Sequence, residues 1–483
     1  LRNRQHMKKP FFTPAKLLIL VSAVLFLVFW SVWFFCYRYY LIWLEGYSFF
    51  STLPDFLPQY LDAQEGIPGY VGAFLHQFYA MPVLGAAIQS FLAVWPVVCA
   101  GIIILRLFKN PEWLMWISLI PLLFITHRQF WDLHLYYTVI ADMLLTAAMI
   151  LTVVVTALVK SKCKLPQWKG SLYVNMALTL VATVVSVYFL TGLHKSNRVH
   201  EQKARLEYLG ENHRWKDILE EVSPKDAKED DLKRAYALLA LSESGLLTDH
   251  AFRYGLDGQD DFVFYEKVDP FCINYNALFY QCLEMRNAVI HQAYQLGVQS
   301  VTGVSFASLR YLADTYIELK DYAMARKYVD ILSHSSCHGK WVKERRTRLE
   351  AIKHETPVYE YDEYKATISN FSHTISSMVD RNRGNRKYAD LLLCSLLADE
   401  EGEQFKQIFR YVAEIQYPTG DTIPRLYEEA LILIAMVEPD VLAGYKISED
   451  TRRRFADYIT MMNAGKGTQA LRKHADTYWA YSY

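Results

Sequence analysis

AKLLILVSAVLFLVFWSVWFF, residues 15–35, carries one charge, Lys16, and two serines, Ser22 and Ser31. At roughly 1.5 Å per helical residue such a run crosses a hydrocarbon layer about 30 Å thick, so it predicts a membrane-spanning helix. A cleaved secretory signal would have an apolar core of only ~7–15 residues ending in small side chains. This run ends in Trp33, Phe34 and Phe35, which predicts an uncleaved anchor. Just upstream, Met7-Lys8-Lys9 reads as a natural start, which would leave Leu1 to His6 outside the fold and make 1–14 a cytoplasmic N-terminus.

Four further apolar stretches follow: Val83 to Phe108, Trp113 to Thr126, Leu135 to Leu158 and Leu172 to Leu193. The Trp113 stretch is short enough for a re-entrant segment to compete with a span. Charge arbitrates, because lysines and arginines beside short loops stay on the cytoplasmic side. Lys8, Lys9 and Lys16 precede the first stretch, Arg106 and Lys109 close the second, and Lys160, Lys162, Lys164 and Lys169 separate the fourth from the fifth. Five crossings put all three clusters inside and everything after Lys195 outside; four would expose the four-lysine loop.

The loop from Arg38 to Met81 is crowded with rings, among them Tyr40, Trp43, Tyr47, Phe50, Phe56 and Tyr60, and is broken by Pro54, Pro58 and Pro68. Aromatics of this density favour a membrane–water interface, so the expectation is two amphipathic segments lying on the outer surface. The loop also holds acids. Membrane glycosyltransferases that use lipid-linked donors carry a catalytic carboxylate in their first outer loop, which makes Asp55, Asp62 and Glu65 candidates; the plainer reading is solvated capping residues. Asp142 stands inside an apolar stretch, where a charge is costly and marks either a function or a pairing, for which Arg128 is the nearest partner in sequence.

The chain's 51 Lys+Arg and 51 Asp+Glu conceal an asymmetry: residues 1–194 hold 13 basic and 7 acidic side chains, 195–483 hold 38 and 44. A single soluble globule is excluded, and so is a nucleic-acid-binding tail, which needs a concentrated basic face. After Lys195 the pattern becomes short amphipathic helices. The clearest unit runs from Ser308 to Leu332: Leu309, Leu312, Ala313 and Tyr316 line one helix, Lys320-Asp321 turns, and Tyr322, Ala325, Val329 and Leu332 line a second. This spacing resembles the tetratricopeptide repeat of about 34 residues, with Ala313 and Ala325 small where helices cross. Weaker copies occur at His200 to Val222 around Trp215, at Ala235 to Phe252 and at Asn274 to Leu296. The fold expected is all-α: an N-terminal bundle of about five transmembrane helices over 15–194, with its aromatic outer loop at 38–81, then a tetratricopeptide-like α-solenoid over 195–483.

Other chemistry is sparse. The seven cysteines have neither disulfide-framework nor zinc-pair spacing. His334-Ser-Ser-Cys337-His338 has metal-type ligands but lacks a second cluster, so no metal and no cofactor is expected. Walker, G-x-S-x-G and H-E-x-x-H motifs are absent. The basic runs Lys343 to Arg348 and Arg452 to Arg454 read as solvated helix faces.

Five stretches carry a resemblance: Trp215-Lys-Asp-Ile-Leu219, Leu241-Ser-Glu-Ser-Gly-Leu246, the unit around Tyr316 and Ala325, Ile423-Pro-Arg-Leu-Tyr-Glu-Glu-Ala-Leu431 and Thr477-Tyr-Trp-Ala-Tyr481, with Tyr47 to Tyr79 beside them. Together they resemble a family of Bacteroidota multi-pass membrane proteins with a helical-repeat C-terminal region. The resemblance implies the architecture and a bacterial inner-membrane location, and it carries no catalytic residue. The expected function is a membrane-anchored scaffold with a periplasmic domain. Its repeat surface, including Trp215, Leu309, Leu312, Ala313, Tyr316, Tyr322 and Ala325 as core or groove residues, would bind a protein or peptide. The alternative is an envelope enzyme or transporter acting on a lipid-linked substrate through Asp55, Asp62, Glu65 or Asp142. The lipid bilayer is a partner in both.

Overall fold

Every regular element among the described residues is helical, and their β pairing is limited to two isolated bridges, Phe108 with Cys163 and Thr422 with Lys446. The computed structural model describes residues 13–483 except 110, 112–113, 130–132, 160–162, 164–170, 266–267, 301, 359–370 and 419–421, and side chains 171–172 and 189–197. Met7, Lys8, Lys9, Trp113 and the lysines at 160, 162, 164 and 169 lie outside the described residues. The chain divides into two compact units: 1–205 with 296–317 and 322–355, and 206–295 with 318–321 and 356–483.

In the first unit three helices are long and apolar enough to cross a membrane: Pro14–Cys36, Pro82–Leu107 and Tyr136–Val159. Thr13 caps the first by accepting the Lys16 N–H, and Pro14 and Pro82 stand in first turns, where a missing N–H costs nothing. Helix Ser171–Glu211 contributes a shorter apolar run, Tyr173–Tyr188.

Contacts give the helix directions. Leu18 packs on Gly101 while the Trp30 indole N–H donates to the Val83 carbonyl at 3.2 Å, so the first two helices are antiparallel. The Trp95 indole N–H donates to Thr146 Oγ1 at 2.8 Å. Beyond the same helix ends, Lys109 N–H donates to the Cys163 carbonyl and Cys163 N–H to that of Leu107. Helices Pro82–Leu107 and Tyr136–Val159 therefore run parallel, and the chain between them must travel back along the bundle. It does so as a 3₁₀ turn, Met115–Leu119, and a short helix, Ile120–Gln129. Met115, Leu119, Leu122 and Ile125 pack into one core with Leu25, Phe29, Ala93 and Val97, and the Gln129 side-chain amide donates to the Gln89 carbonyl at 2.8 Å.

The aromatic loop departs from the expected surface-lying segments. It folds into helices Arg38–Tyr47, Phe56–Asp62 and Gly66–His76 and a 3₁₀ turn, Gln77–Ala80, with its rings turned onto one another. Tyr40, Trp43 and Tyr47 form a stack, and Phe50 meets Phe56, Tyr70 and Phe74. Most of these rings are buried, because ring-on-ring packing removes more apolar surface from water than lying flat on an interface does. At the start of Arg38–Tyr47 the backbone N–H groups of Tyr39 and Tyr40 donate to the Glu201 carboxylate, which serves as the helix cap.

The loop also holds helices Phe306–Glu318, Tyr322–Ser333 and Gly339–Ala351 in this unit. Phe306 N–H donates to the Ser48 carbonyl at 2.9 Å, Thr52 donates through N–H and hydroxyl to the His334 carbonyl, and Tyr47 hydroxyl donates to the Gln299 carbonyl. His338 Nε2 lies 2.6 Å from Glu45 Oε1, with the two side chains 9% and 7% exposed. The Phe306 ring stacks on His338 at 3.6 Å.

The second unit repeats one device. After Glu243, Cys282, Ala398 and Asn463 each helix ends in a residue followed by one in the left-handed region: Gly245, Glu284, Glu400 and Gly465. The next N–H reaches back five residues: Leu246 to Leu241, Met285 to Tyr280, Glu401 to Leu396, Lys466 to Met461. This closure satisfies orphan helix-end carbonyls and takes the chain out of the helix by the same hydrogen-bond pattern each time. Caps from Asp230, Asp269, Asn385 and Ser448 start these same four helices.

Candidate functional site

The second unit carries a cleft of about 420 Å³. Its floor is built by helix Arg425–Ala435 and the terminal turn Tyr478–Tyr481. Arg425 Nε lies 2.7 Å from Glu429 Oε1 and its Nη2 2.8 Å from Asp476 Oδ2, while Arg454 reaches Asp476 Oδ1 at 2.6 Å. Tyr478 N–H donates to Glu429 Oε2 at 2.7 Å. Burial pushes the Glu429 carboxyl up, opposed by Arg425 and this N–H. Two of the cleft's carboxylates are thus spent on internal cations, and they fix where the terminal aromatic turn sits.

The opposite wall comes from helix Leu247–His250 and the 3₁₀ turn Phe252–Tyr254. Gly255 ends that turn at φ +85°, a conformation glycine reaches without a Cβ clash. The Phe252 ring sits 4.4 Å from Tyr481 and 5.7 Å from Tyr478. Tyr481 is held by its hydroxyl, which donates to Asp257 at 3.1 Å. Lys228, His250 and Arg253 line the cleft without an ion pair among the described residues, against one carboxylate, Asp249, likewise unpaired. Aromatic faces beside uncommitted cations suit a peptide segment carrying a carboxylate, since charge-assisted hydrogen bonds to Lys and Arg are the strong ones and aromatic anchors dominate interfaces.

Of the residues the sequence singles out, Asp55 and Asp62 are exposed and Glu65 is half-buried; none of the three lines a described cavity. Asp142 is buried in helix Tyr136–Val159. Arg128, its nearest basic residue in sequence, lies over the Tyr137 ring at 4.9 Å. Leu309, Leu312, Ala313 and Ala325 are buried, Tyr316 and Tyr322 pack against a core of Ile317, Ala325 and Leu349, and Trp215 is half-buried beside His213. No group of three or more metal-type ligands exists among the described residues. Sequence reasoning missed the cleft's Lys228, Arg253 and Tyr481, although the terminal aromatic run that forms one wall was visible. It also missed the Glu45–His338 pair, for which no local signal exists.

No curated protein and no solved structure matches the chain. The model of a family of unknown function (DUF6057) matches residues 13–194 and 152–483, and the chain belongs to that family.

Proposed function

We propose that this protein is a membrane-anchored scaffold of a bacterial inner membrane whose helical-repeat region lies outside the cytoplasm and binds a protein or peptide. The observation that carries the reading is the aromatic-walled cleft with Lys228 and Arg253 uncommitted. Supporting it is the recurrence of one helix–turn–helix closure, the geometry from which repeat arrays build extended partner-binding surfaces. The parallel course of Pro82–Leu107 and Tyr136–Val159 supports a five-crossing topology, because the return between them adds a fourth traverse to the three long apolar helices and the apolar run Tyr173–Tyr188 supplies a fifth. With Lys16, Arg106 and Lys109 inside, an odd number of crossings puts the C-terminal region outside.

The test is a photo-crosslinking amino acid in place of Phe252 in intact membranes. A reproducible adduct that disappears with Arg253→Glu supports the scaffold; a cleft that never crosslinks under any growth condition counts against it. The runner-up, an envelope enzyme or transporter, draws its support from Asp142 alone, since Asp55, Asp62 and Glu65 line no described cavity. Amide replacements of all four acids that fully complement a deletion strain would remove it.

A further inference from the structure

Helix Tyr136–Val159 faces the bundle with its polar side. Its buried side chains are Thr138, Val139 and Asp142, whereas Leu144, Ile150, Leu151, Val154 and Leu158 are exposed. Thr138, Asp142 and Thr146 recur every four residues and so share one face. Thr146 takes the Trp95 indole N–H, a bond that docks this helix on Pro82–Leu107. Asp142 makes no comparable bond. It is 7% exposed, and neither carboxylate oxygen has a hydrogen-bond partner among the described residues.

Two further side chains at this depth are similarly open. Gln89 is wholly buried with neither Oε1 nor Nε2 partnered, and Gln129, 1% exposed, has an open Oε1. The pairings of Trp95 with Thr146 and of Phe108 with Cys163 fix the register of the two parallel helices, which brings Gln89 within about one turn of the level of Asp142. The bond from Gln129 to the Gln89 backbone puts it at the same level. A carboxylate, an amide and an amide oxygen without partners among the described residues are expensive in a low-dielectric bundle, and leucines at these positions would avoid the cost. Groups retained against that cost point to a ligand that satisfies them.

We propose that Asp142, with the amide oxygens of Gln89 and Gln129, forms an intramembrane site for a monovalent cation exchanging with the extracytoplasmic side. The donor set is all oxygen, which selects a hard ion. A single carboxylate neutralises one positive charge, so a divalent ion would leave a net charge in the apolar bundle. Hydronium and sodium satisfy the same chemistry. Asp142 lies less than two turns from Tyr136, at the helix end where Gly72 abuts the His134 carbonyl, the side of the aromatic loop. The titratable and charged groups on the elements packed against this helix are Tyr70 and His76 on Gly66–His76, Cys99 and Arg106 on Pro82–Leu107, and His127 and Arg128 on Ile120–Gln129. This inference is independent of the scaffold reading.

The experiment is labelling of the full-length protein in lipid nanodiscs with a hydrophobic carbodiimide, which modifies only protonated carboxyls, with the modified residue mapped by mass spectrometry from pH 5 to 9. Labelling at Asp142 should fall about tenfold per pH unit above a midpoint, and Asp142→Glu should keep a titration with a displaced midpoint. Slowing of the reaction by sodium but not choline assigns sodium as the ligand; a titration indifferent to sodium assigns the proton. Labelling that does not vary with pH, or that never occurs, describes a carboxyl sealed from bulk exchange and overturns the proposal.

Discussion

His76 illustrates how burial alone sets a residue's chemistry. Its ring is fully buried in the outer loop, neither nitrogen has a hydrogen-bond partner among the described residues, and desolvation, with His134 nearby, holds its pKa down to about 3. A histidine lowered in the folded state contributes stability that is complete above the unfolded value near 6.5 and is lost as pH falls toward 3. At pH 5 this amounts to about 2 kcal/mol. Thermal unfolding at pH 7 and pH 5 should therefore show a drop that His76→Leu removes; an equal drop in the variant would assign the acid sensitivity elsewhere. Glu400 makes the complementary case in the second unit. It occupies φ +59° at a turn where Gly245 and Gly465 do the same service elsewhere. A left-handed non-glycine residue costs roughly 1–2 kcal/mol, part of which glycine returns as backbone entropy. Glu400→Gly should raise stability by about 0.5 kcal/mol, read as a shifted denaturation midpoint with an unchanged slope. The turn pattern itself was half legible: Gly245 and Gly465 announce it, whereas Glu284 and Glu400 are acidic residues that no sequence rule places at positive φ.

Between elements, the decisive contact is the attachment of the aromatic loop to the helices from Phe306 to Ala351. Glu45 and His338 sit on elements remote in sequence and meet in a buried pair that excludes nearly all water. Removing one partner of a buried pair leaves the other uncompensated, which costs about 3 kcal/mol or more. His338→Ala should thus accelerate hydrogen exchange in both 45–52 and 299–338, while exchange in 386–416 stays unchanged. Acceleration confined to the immediate vicinity of 338 would mean that the Phe306 N–H bond to the Ser48 carbonyl and the bonds donated by Thr52 and by the Tyr47 hydroxyl hold the loop unaided. His334-Ser-Ser-Cys337-His338 has metal-type ligands in its sequence, and the structure gives the segment another use. His338 pairs with the Glu45 carboxylate, and the Ser336 N–H donates to Gln77 Oε1.

For the whole molecule the central expectation is topological. The three apolar helices, the return segment between the parallel pair and the apolar run Tyr173–Tyr188 would together make five crossings, an odd number that would put the C-terminal region outside the cytoplasm. Alkaline phosphatase, active only outside the cytoplasm, should be active when fused at Tyr483 and inactive when fused after Lys109. The reverse pattern would place the cleft in the cytosol and dismiss a periplasmic partner.

The all-helical character and the long apolar helices were determined by sequence alone, because a run of apolar residues with the length of a bilayer has few other ways to satisfy its backbone. The turn at Lys320 belongs with these, since helix periodicity is local. Tertiary structure alone decided that the aromatic loop folds onto itself and grips His338, that Tyr481 and Phe252 wall a cleft, and that Asp142 has no hydrogen-bond partner among the described residues. Each of these depends on which distant surfaces meet, and a residue's type carries no record of its neighbours across the fold.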